Sequence, residues 1–390
     1  MRRWKSWEFG KRARALPVAR DAAFWVASNE GRDGVVTALR ESATTARRFP
    51  SSTPPESLEG VLAEPDAYLV KKRRDWDIHK YARLYTGESY PVGASYDICL
   101  RDCWLHVPSG TVITAEKEVL AFSSYGLNCF YEGHSECDWE EAPWVEGPHF
   151  KLATVWGRNF AHWLMDALPK ADALIAGDPR IAVLDKDPPG FQEATLDLLG
   201  HKPRMVPVES LLRFRELHFV STTRSGVPDP RPLARVRDRL QAAAGAPGDS
   251  QRIYISRQKT RRRILNGEDI NRLLLDFGFE EIVSEELDLA AQIRAFAGAD
   301  ALFGAHGAGT LNVLFARSAG ALIEAINPRV WDHAAHRVAS LFGIRHFHLF
   351  GQNATPDFDI RLDLKTLERT LALALEAGNP PRQALIEEKF

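Results

Sequence analysis

The chain has 390 residues, of which 45% are hydrophobic and 26% charged, with 50 Lys and Arg against 52 Asp and Glu. This is a globular composition, and the length exceeds that of most single domains, so two are expected. A net charge of -2 excludes a global basic surface for nucleic acid, and no run of eighteen apolar residues offers a transmembrane span.

Residues 1–60 read as a helical, polar lead-in that breaks at Ser51-Ser52-Thr53-Pro54-Pro55. Arg2, Arg3, Lys5, Lys11, Arg12, Arg14 and Arg20, mixed with Trp4, Trp7 and Phe9, suit a solvated terminus or peripheral contact with an anionic membrane face. The apolar run at 24–28 is too short for a secretory signal, so a cytoplasmic chain with reduced thiols is expected. Residues 61–225 form the expected first α/β domain. Its strands at 98–107, 111–113 and 119–122, parted by Pro108-Ser109-Gly110 and by charged residues, imply antiparallel hairpins. Cys99, Cys103, Cys129 and Cys137, with His106 and His134 nearby, allow a structural zinc site, but no tight C-x2-C pair is present. Cys99, Cys103 and Leu105 also suit one face of a strand.

From about residue 150 strands alternate with helices. Strands are expected at 150–155, 181–184, 205–208 and 217–220, and helices at 159–168 and 191–199. The polar, Pro- and Gly-rich stretch 221–230 is the expected linker. A second domain over 226–365 has strands at 253–255, 282–283, 301–303, 321–326 and 347–350. Its helices fall at 270–277, with Asn266 as N-cap, at 289–297, capped by Asp288, and at 331–342. A last helix covers 364–377 and leads into the C-terminal helix and tail over 366–390. This alternation implies right-handed βαβ units and a parallel sheet, with ligands beyond the carboxyl ends of the strands.

Four stretches carry chemistry. On a helix over 159–168, His162 and Asp166 share a face, Asn159 joins them, and Trp163 adds apolar surface. A polar pair on a buried helix must be satisfied or used, so a structural pair and a catalytic one both remain open. After the strand at 253–255, Arg257, Lys259, Arg261, Arg262 and Arg263 offer phosphate-binding forks or a solvated basic loop. Gly304-Ala305-His306-Gly307-Ala308-Gly309 joins a strand to a helix and exposes N–H groups to an anion. Tight packing also explains the glycines, though not His306, and the stretch is neither G-x-G-x-x-G nor a P-loop. Finally, Glu324 sits in an apolar strand, where it serves a ribose hydroxyl or a salt bridge.

In this order, residues 159–169, 254–263, 304–315 and 322–324 resemble the motifs of glycosyltransferase family 61, and the resemblance spans roughly 95–350. It implies an α/β, GT-B-like architecture of two Rossmann-like domains with a cleft between them, the N-terminal half carrying extra antiparallel β-hairpins. It places the acceptor on 61–225 and the nucleotide sugar on 226–365. It implies an inverting, metal-independent transfer from a nucleotide-sugar co-substrate, for instance a UDP-linked one, to a glycan or related hydroxyl, in surface polysaccharide biosynthesis. No separate cofactor and no nucleic acid takes part. Carried over, Arg257 and Arg262 or Arg263, His306 and the N–H groups near Gly307 and Gly309 hold the diphosphate, and Glu324 binds the ribose. Asp166 is the general base, His162 positions it, and Asn159 and Trp163 support the acceptor side. Two other readings stand: another Rossmann-type nucleotide-dependent enzyme such as an oxidoreductase, and a non-catalytic nucleotide- or sugar-binding module. The missing G-x-G-x-x-G disfavours the first, and intact polar residues in all four stretches disfavour the second.

Overall fold

The structure is a computed structural model that describes residues 16–39, 45–48, 88–91, 95–125, 130, 139–175, 177–184, 187–201, 203–204, 211–222, 225–226, 228–316, 320–327, 329–330 and 332–376. The basic stretch from Arg2 to Arg14, the break at 51–55, His134, Cys129, Cys137 and the strand expected at 205–208 lie outside these residues. The chain divides into two compact units, Met1–Thr44 with Val92–Leu240, and Thr45–Pro91 with Gln241–Phe390. Both mix α and β structure.

In the first unit nine strands form one sheet: β1 (Val18–Ala19), β2 (Val35–Leu39), β3 (Tyr96–His106), β4 (Thr111–Ile113), β5 (Val119–Leu120), β6 (Trp144–Lys151), β7 (Ile181–Val183), β8 (Pro203–Arg204) and β9 (Leu211–Val220). The order is β1-β5-β4-β3-β9-β6-β7-β8, with β2 also on β3. The expected hairpins are there: β3 turns into β4 through Gly110, whose φ is +67° and whose missing Cβ would lie 2.6 Å from the Ala153 carbonyl oxygen. Only glycine fits that turn. Beyond β9 the pairing with β6, β7 and β8 is parallel, as the strand–helix alternation implied.

Side-chain parity along β3 and β9 explains which residues face the core. Ile98 and Leu100 point inward, and so do Cys103 and Leu105, three residues further along rather than two. Asp102 takes φ +53° at the change, and opposite it Arg215 marks a register shift, with Phe214 and Leu217 inward on either side. Arg215 and Asp102 pair at 3.2 Å across this double bulge. Asp97, Cys99, Glu216 and His218 are left on the opposite, partly exposed face.

Strand β6 begins at Trp144, six residues before the expected start, because its first half is exposed and carries Glu146, Gly147 and Pro148 rather than an apolar run. The largest omission is the helix Pro230–Ala244, which the arginine-rich sequence concealed. Its signal was Leu233, Val236 and Leu240, spaced three and four residues apart and all buried.

The second unit holds five parallel strands, β10 (Arg252–Ile255), β11 (Glu280–Ile282), β12 (Ala301–Ala305), β13 (Ala321–Ile326) and β14 (Arg345–Phe350), in the order β11-β10-β12-β13-β14. The first strand thus lies second in the sheet, and the chain reverses its direction of travel between β10 and β12. Such a switch point opens a crevice outside the strand ends, where ligands bind in open α/β sheets. The loops leaving β10 and β12 are the arginine loop and the glycine turn. Tyr254, Phe303, Ile323 and Phe347 pack in the core beneath, each burial worth about 1.5–3 kcal/mol. The helices Gly267–Asp276, Leu289–Ala297, Ala334–Leu341 and Leu364–Glu376 cover the sheet near the expected positions. Asp288 caps its helix, accepting from Ala291 N at 2.7 Å. Asn266 makes no such bond; its amide instead exchanges two hydrogen bonds with the Leu362 backbone.

Candidate functional site

The first cluster is built on residues 160–173. Asn159 Oδ1 accepts from Ala161 N, and helix begins at Phe160. The backbone widens to a π-turn over Trp163–Ala167, then tightens to a 3-10 helix over Leu168–Ala173. Pro169 lies at the start of this tighter segment, where its missing N–H is tolerated. π-turns are rare and recur at functional sites, and this one carries Asp166.

Asp166 is buried, its side chain 1% exposed. His162 Nδ1 lies 2.8 Å from Oδ2, Ser225 Oγ donates to Oδ2 at 2.7 Å, and Gly226 N donates to Oδ1 at 2.8 Å. Asp166, expected as the general base, thus accepts from within the chain at both oxygens and is buried. With Nδ1–H donated to a carboxylate, the lone pair of His162 rests on Nε2. The His162 side chain is 32% exposed. Trp156, itself exposed, holds its ring centroid 5.8 Å from the imidazole. Trp163, expected to support an acceptor, is instead a core residue whose indole N–H donates to Thr195. Asn159 serves as the helix cap.

Three residues the sequence reading passed over complete this cluster. Lys170, four residues after Asp166, is buried with its ammonium 5.0 Å from the Tyr125 ring centre. Burial lowers its pKa to about 8 against the opposing pull of Asp166. The Tyr125 hydroxyl is pushed up by burial and by the Asp166 charge. Tyr125 and Ser225, with Arg20, Ser124 and Thr222, line a cavity of about 320 Å³. Lys170 was visible at helical spacing from Asp166; Ser225 and Tyr125 come from distant sequence and had no local signal.

The second cluster lies at the β10–β12 switch point. A Cβ at Gly307 would sit 2.2 Å from an Arg257 guanidinium nitrogen, so the glycine lets that side chain lie against the turn. Gly304 and Gly309 pack against Ile255 in the same way, at 3.2 Å. Arg257 Nε donates to the Arg261 carbonyl at 3.0 Å, and Arg262 takes φ +64°, a strained backbone for a non-glycine. Among the described residues no carboxylate pairs with Arg257 or Arg262. Burial lowers both guanidinium pKa values, helped at Arg257 by the charge of Arg262 and opposed at Arg262 by Asp332. Arg263 differs, because its N–H and guanidinium bind Asp359 at 2.7 and 3.1 Å. It anchors the loop rather than offering a free fork.

Behind the turn is a buried network. Glu324 has no exposed surface; Oε1 accepts from His306 Nδ1 at 2.8 Å and Thr310 Oγ1 at 3.1 Å, and Oε2 lies 3.0 Å from His346 Nε2. Glu324, expected to contact a ribose, accepts here from within the chain at both oxygens. His306 also points its Nε2 at Asp332, 3.6 Å away, an ion pair longer than a hydrogen bond. Burial opposes a charge on His306, but Glu324 and Asp332 outweigh it and raise its pKa to about 9. Glu324 is held well below the carboxylate range, His306 and His346 overcoming its burial. With both ring nitrogens facing carboxylates, His306 stiffens and charges the turn rather than standing open to a ligand. Asp332, His346 and Thr310 were missed, although Thr310 directly follows the glycine turn.

Among the described residues no helix is long and apolar enough to cross a membrane. No curated protein matches the chain. The family model described as Glycosyltransferase 61 matches residues 160–323, from the segment of His162 and Asp166, through the arginine loop and the glycine turn, into the strand of Glu324. Over this segment the chain is similar to glycosyltransferase family 61.

Proposed function

We propose that the chain is an inverting glycosyltransferase of GT-B type, which moves a sugar from a nucleoside-diphosphate donor to a hydroxyl of a glycan acceptor in surface polysaccharide assembly. The observation that carries this reading is the buried Asp166 holding His162 by Nδ1, which leaves Nε2 as a proton acceptor on a part-exposed ring. His162 Nε2 takes the proton of the acceptor hydroxyl, and the oxygen attacks the anomeric carbon. The bond from that carbon to the diphosphate oxygen breaks, and its electron pair leaves with the diphosphate. A single displacement of this kind inverts the anomeric centre. Arg257, Arg262 and the N–H groups from Gly307 to Gly309 receive the departing charge, supplying electrostatic stabilisation without a divalent ion. Asp166 keeps the imidazole in its reactive tautomer and balances the imidazolium that forms.

The test is His162→Ala beside Asp166→Asn. Each is expected to lower kcat by about 10²- to 10⁴-fold, the range for a lost general base. Donor affinity, read by calorimetry, stays within a few fold. Near-normal turnover of His162→Ala places the base elsewhere, and a product that keeps the donor's anomeric configuration overturns the single displacement.

A further inference from the structure

The face of the first unit's sheet that points away from its core carries chemistry that transfer does not use. Cys99 on β3 lies directly opposite His218 on β9, and Glu216 stands two residues before His218 on the same face. The double bulge at Asp102 and Arg215 turns the inward parity of Phe214 and Cys103 into the outward parity of Glu216 and Cys99. The Cys99 sulfur, a Glu216 oxygen and a His218 nitrogen all fall within 4.8 Å of one another. They line a cavity of about 560 Å³. His218 Nε2 lies 2.8 Å from Glu216 Oε1, so these two atoms already converge on one point.

We propose that Cys99, Glu216 and His218 form a site for a zinc-like divalent cation, separate from the proposed transfer chemistry. A thiolate, an imidazole and a carboxylate are the three ligand types that zinc accepts together, and three protein ligands leave a fourth position open. Bonds of about 2.0–2.3 Å in a tetrahedron hold ligand atoms roughly 3.5 Å apart, so small side-chain rotations close the site. The metal takes the place of the proton between His218 Nε2 and Glu216 Oε1, which passes through water to His218 Nδ1, so the imidazole binds as the neutral ring. Coordination releases the Cys99 thiol proton to water, because the thiolate is the ligand. Charge permits it: thiolate and carboxylate together balance the cation. Of the three arginines lining the cavity, Arg180 is neutralised by Asp178, with Nε to Oδ1 at 2.9 Å, and Arg32 pairs with Glu116, with Nη2 to Oε1 at 2.9 Å. Arg101 is exposed to solvent. The fourth position opens into the cavity and takes water. The cation ties β3 to β9, the two longest strands of that sheet.

The full chain is stripped with a chelator, dialysed and titrated with Co(II) as a spectroscopic stand-in for Zn(II). One equivalent of Co(II) is expected to give tetrahedral visible bands and a near-ultraviolet thiolate charge-transfer band, both removed by added Zn(II). Cys99→Ser loses the charge-transfer band, while a Cys129→Ser/Cys137→Ser double variant keeps it. If circular dichroism shows that Cys99→Ser is unfolded, His218→Gln decides, because its side chain is partly exposed and the thiol stays in place. It is expected to weaken Co(II) binding at least tenfold. A wild-type chain without a charge-transfer band, a band that persists in folded Cys99→Ser, or unchanged affinity in His218→Gln overturns the site.

Discussion

Replacing Glu324 by glutamine removes the charge that keeps His306 protonated, and the structure sets the size of the effect. His306 has its pKa raised from 6.5 to about 9 by Glu324 and Asp332 working against burial. At about 1.4 kcal/mol per pH unit this is roughly 3 kcal/mol of stabilisation. The depressed Glu324 is the same interaction seen from the other partner, so it is counted once. The sign follows from the direction. The folded pKa of His306 lies above its unfolded value, so the contribution is complete below pH 6.5 and drains away as pH rises through 9. On the acid side it is lost as pH falls below 4.5 toward the lowered pKa of Glu324. Glutamine keeps an acceptor for Thr310 and His306, so Glu324→Gln removes charge more than hydrogen bonding. The same order, about 3–5 kcal/mol, is typical of breaking one side of a buried pair. At roughly 2–4 °C per kcal/mol for a unit of this size, the Tm of the second unit should fall by about 6–12 °C at pH 6. Scanning calorimetry of wild type and variant at pH 6, 7.5 and 10 reads this directly, with the gap narrowing as pH rises. A gap that is absent at pH 6, or the same size at pH 10, refutes the charged-pair account.

Arg257→Ala should weaken nucleoside-diphosphate binding by about 1.5–3 kcal/mol, some 10- to 150-fold, with unchanged calorimetric affinity counting against the diphosphate reading. Gly307→Ala puts a methyl where the Arg257 guanidinium lies, so it should lower diphosphate affinity at little cost in Tm. Equal affinity for wild type and Gly307→Ala would separate Arg257 from the ligand. Lys170→Met should stabilise the first unit below pH 8, because burial lowers the ammonium pKa from 10.5 to about 8 and the buried charge costs stability wherever it persists. That cost is full below pH 8 and drains as pH rises through 10.5, so the Tm gain should close at high pH; a destabilised variant at pH 7 contradicts this.

Much of the second unit was legible in the sequence because its central strands are buried on both faces. Ala321–Ile326 is six residues without an exposed side chain, and its bounds follow from the apolar run alone. The sites of both clusters were legible for a different reason: the glycine-rich turn marks the strand-to-helix junction, and helical spacing pairs His162 with Asp166. What the sequence concealed was exposure. Glu324 and Asp166 both read as carboxylates able to reach a ligand, yet each is sealed by donors from elsewhere in the chain, His346 in one case and Ser225 in the other. No local pattern reports a contact made 22 or 59 residues away. The helix Pro230–Ala244 was hidden by its arginines, whose long side chains covered a regular apolar stripe.

The two histidines illustrate how the same pair of residue types yields opposite chemistry. Each gives Nδ1 to a buried carboxylate at 2.8 Å. His306 also faces Asp332 with Nε2, and two acids hold it protonated up to about pH 9. A ring that keeps its proton across the neutral range has no lone pair for an acceptor hydroxyl, but it supplies a fixed positive charge under the glycine turn. His162 has one acid, and among the described residues no group bonds its Nε2. The single carboxylate orients the ring and leaves its second nitrogen without a partner among the described residues. The number of acids around each imidazole, rather than the presence of a histidine beside an acid, underlies the proposal of proton transfer at His162 and of fixed charge at His306.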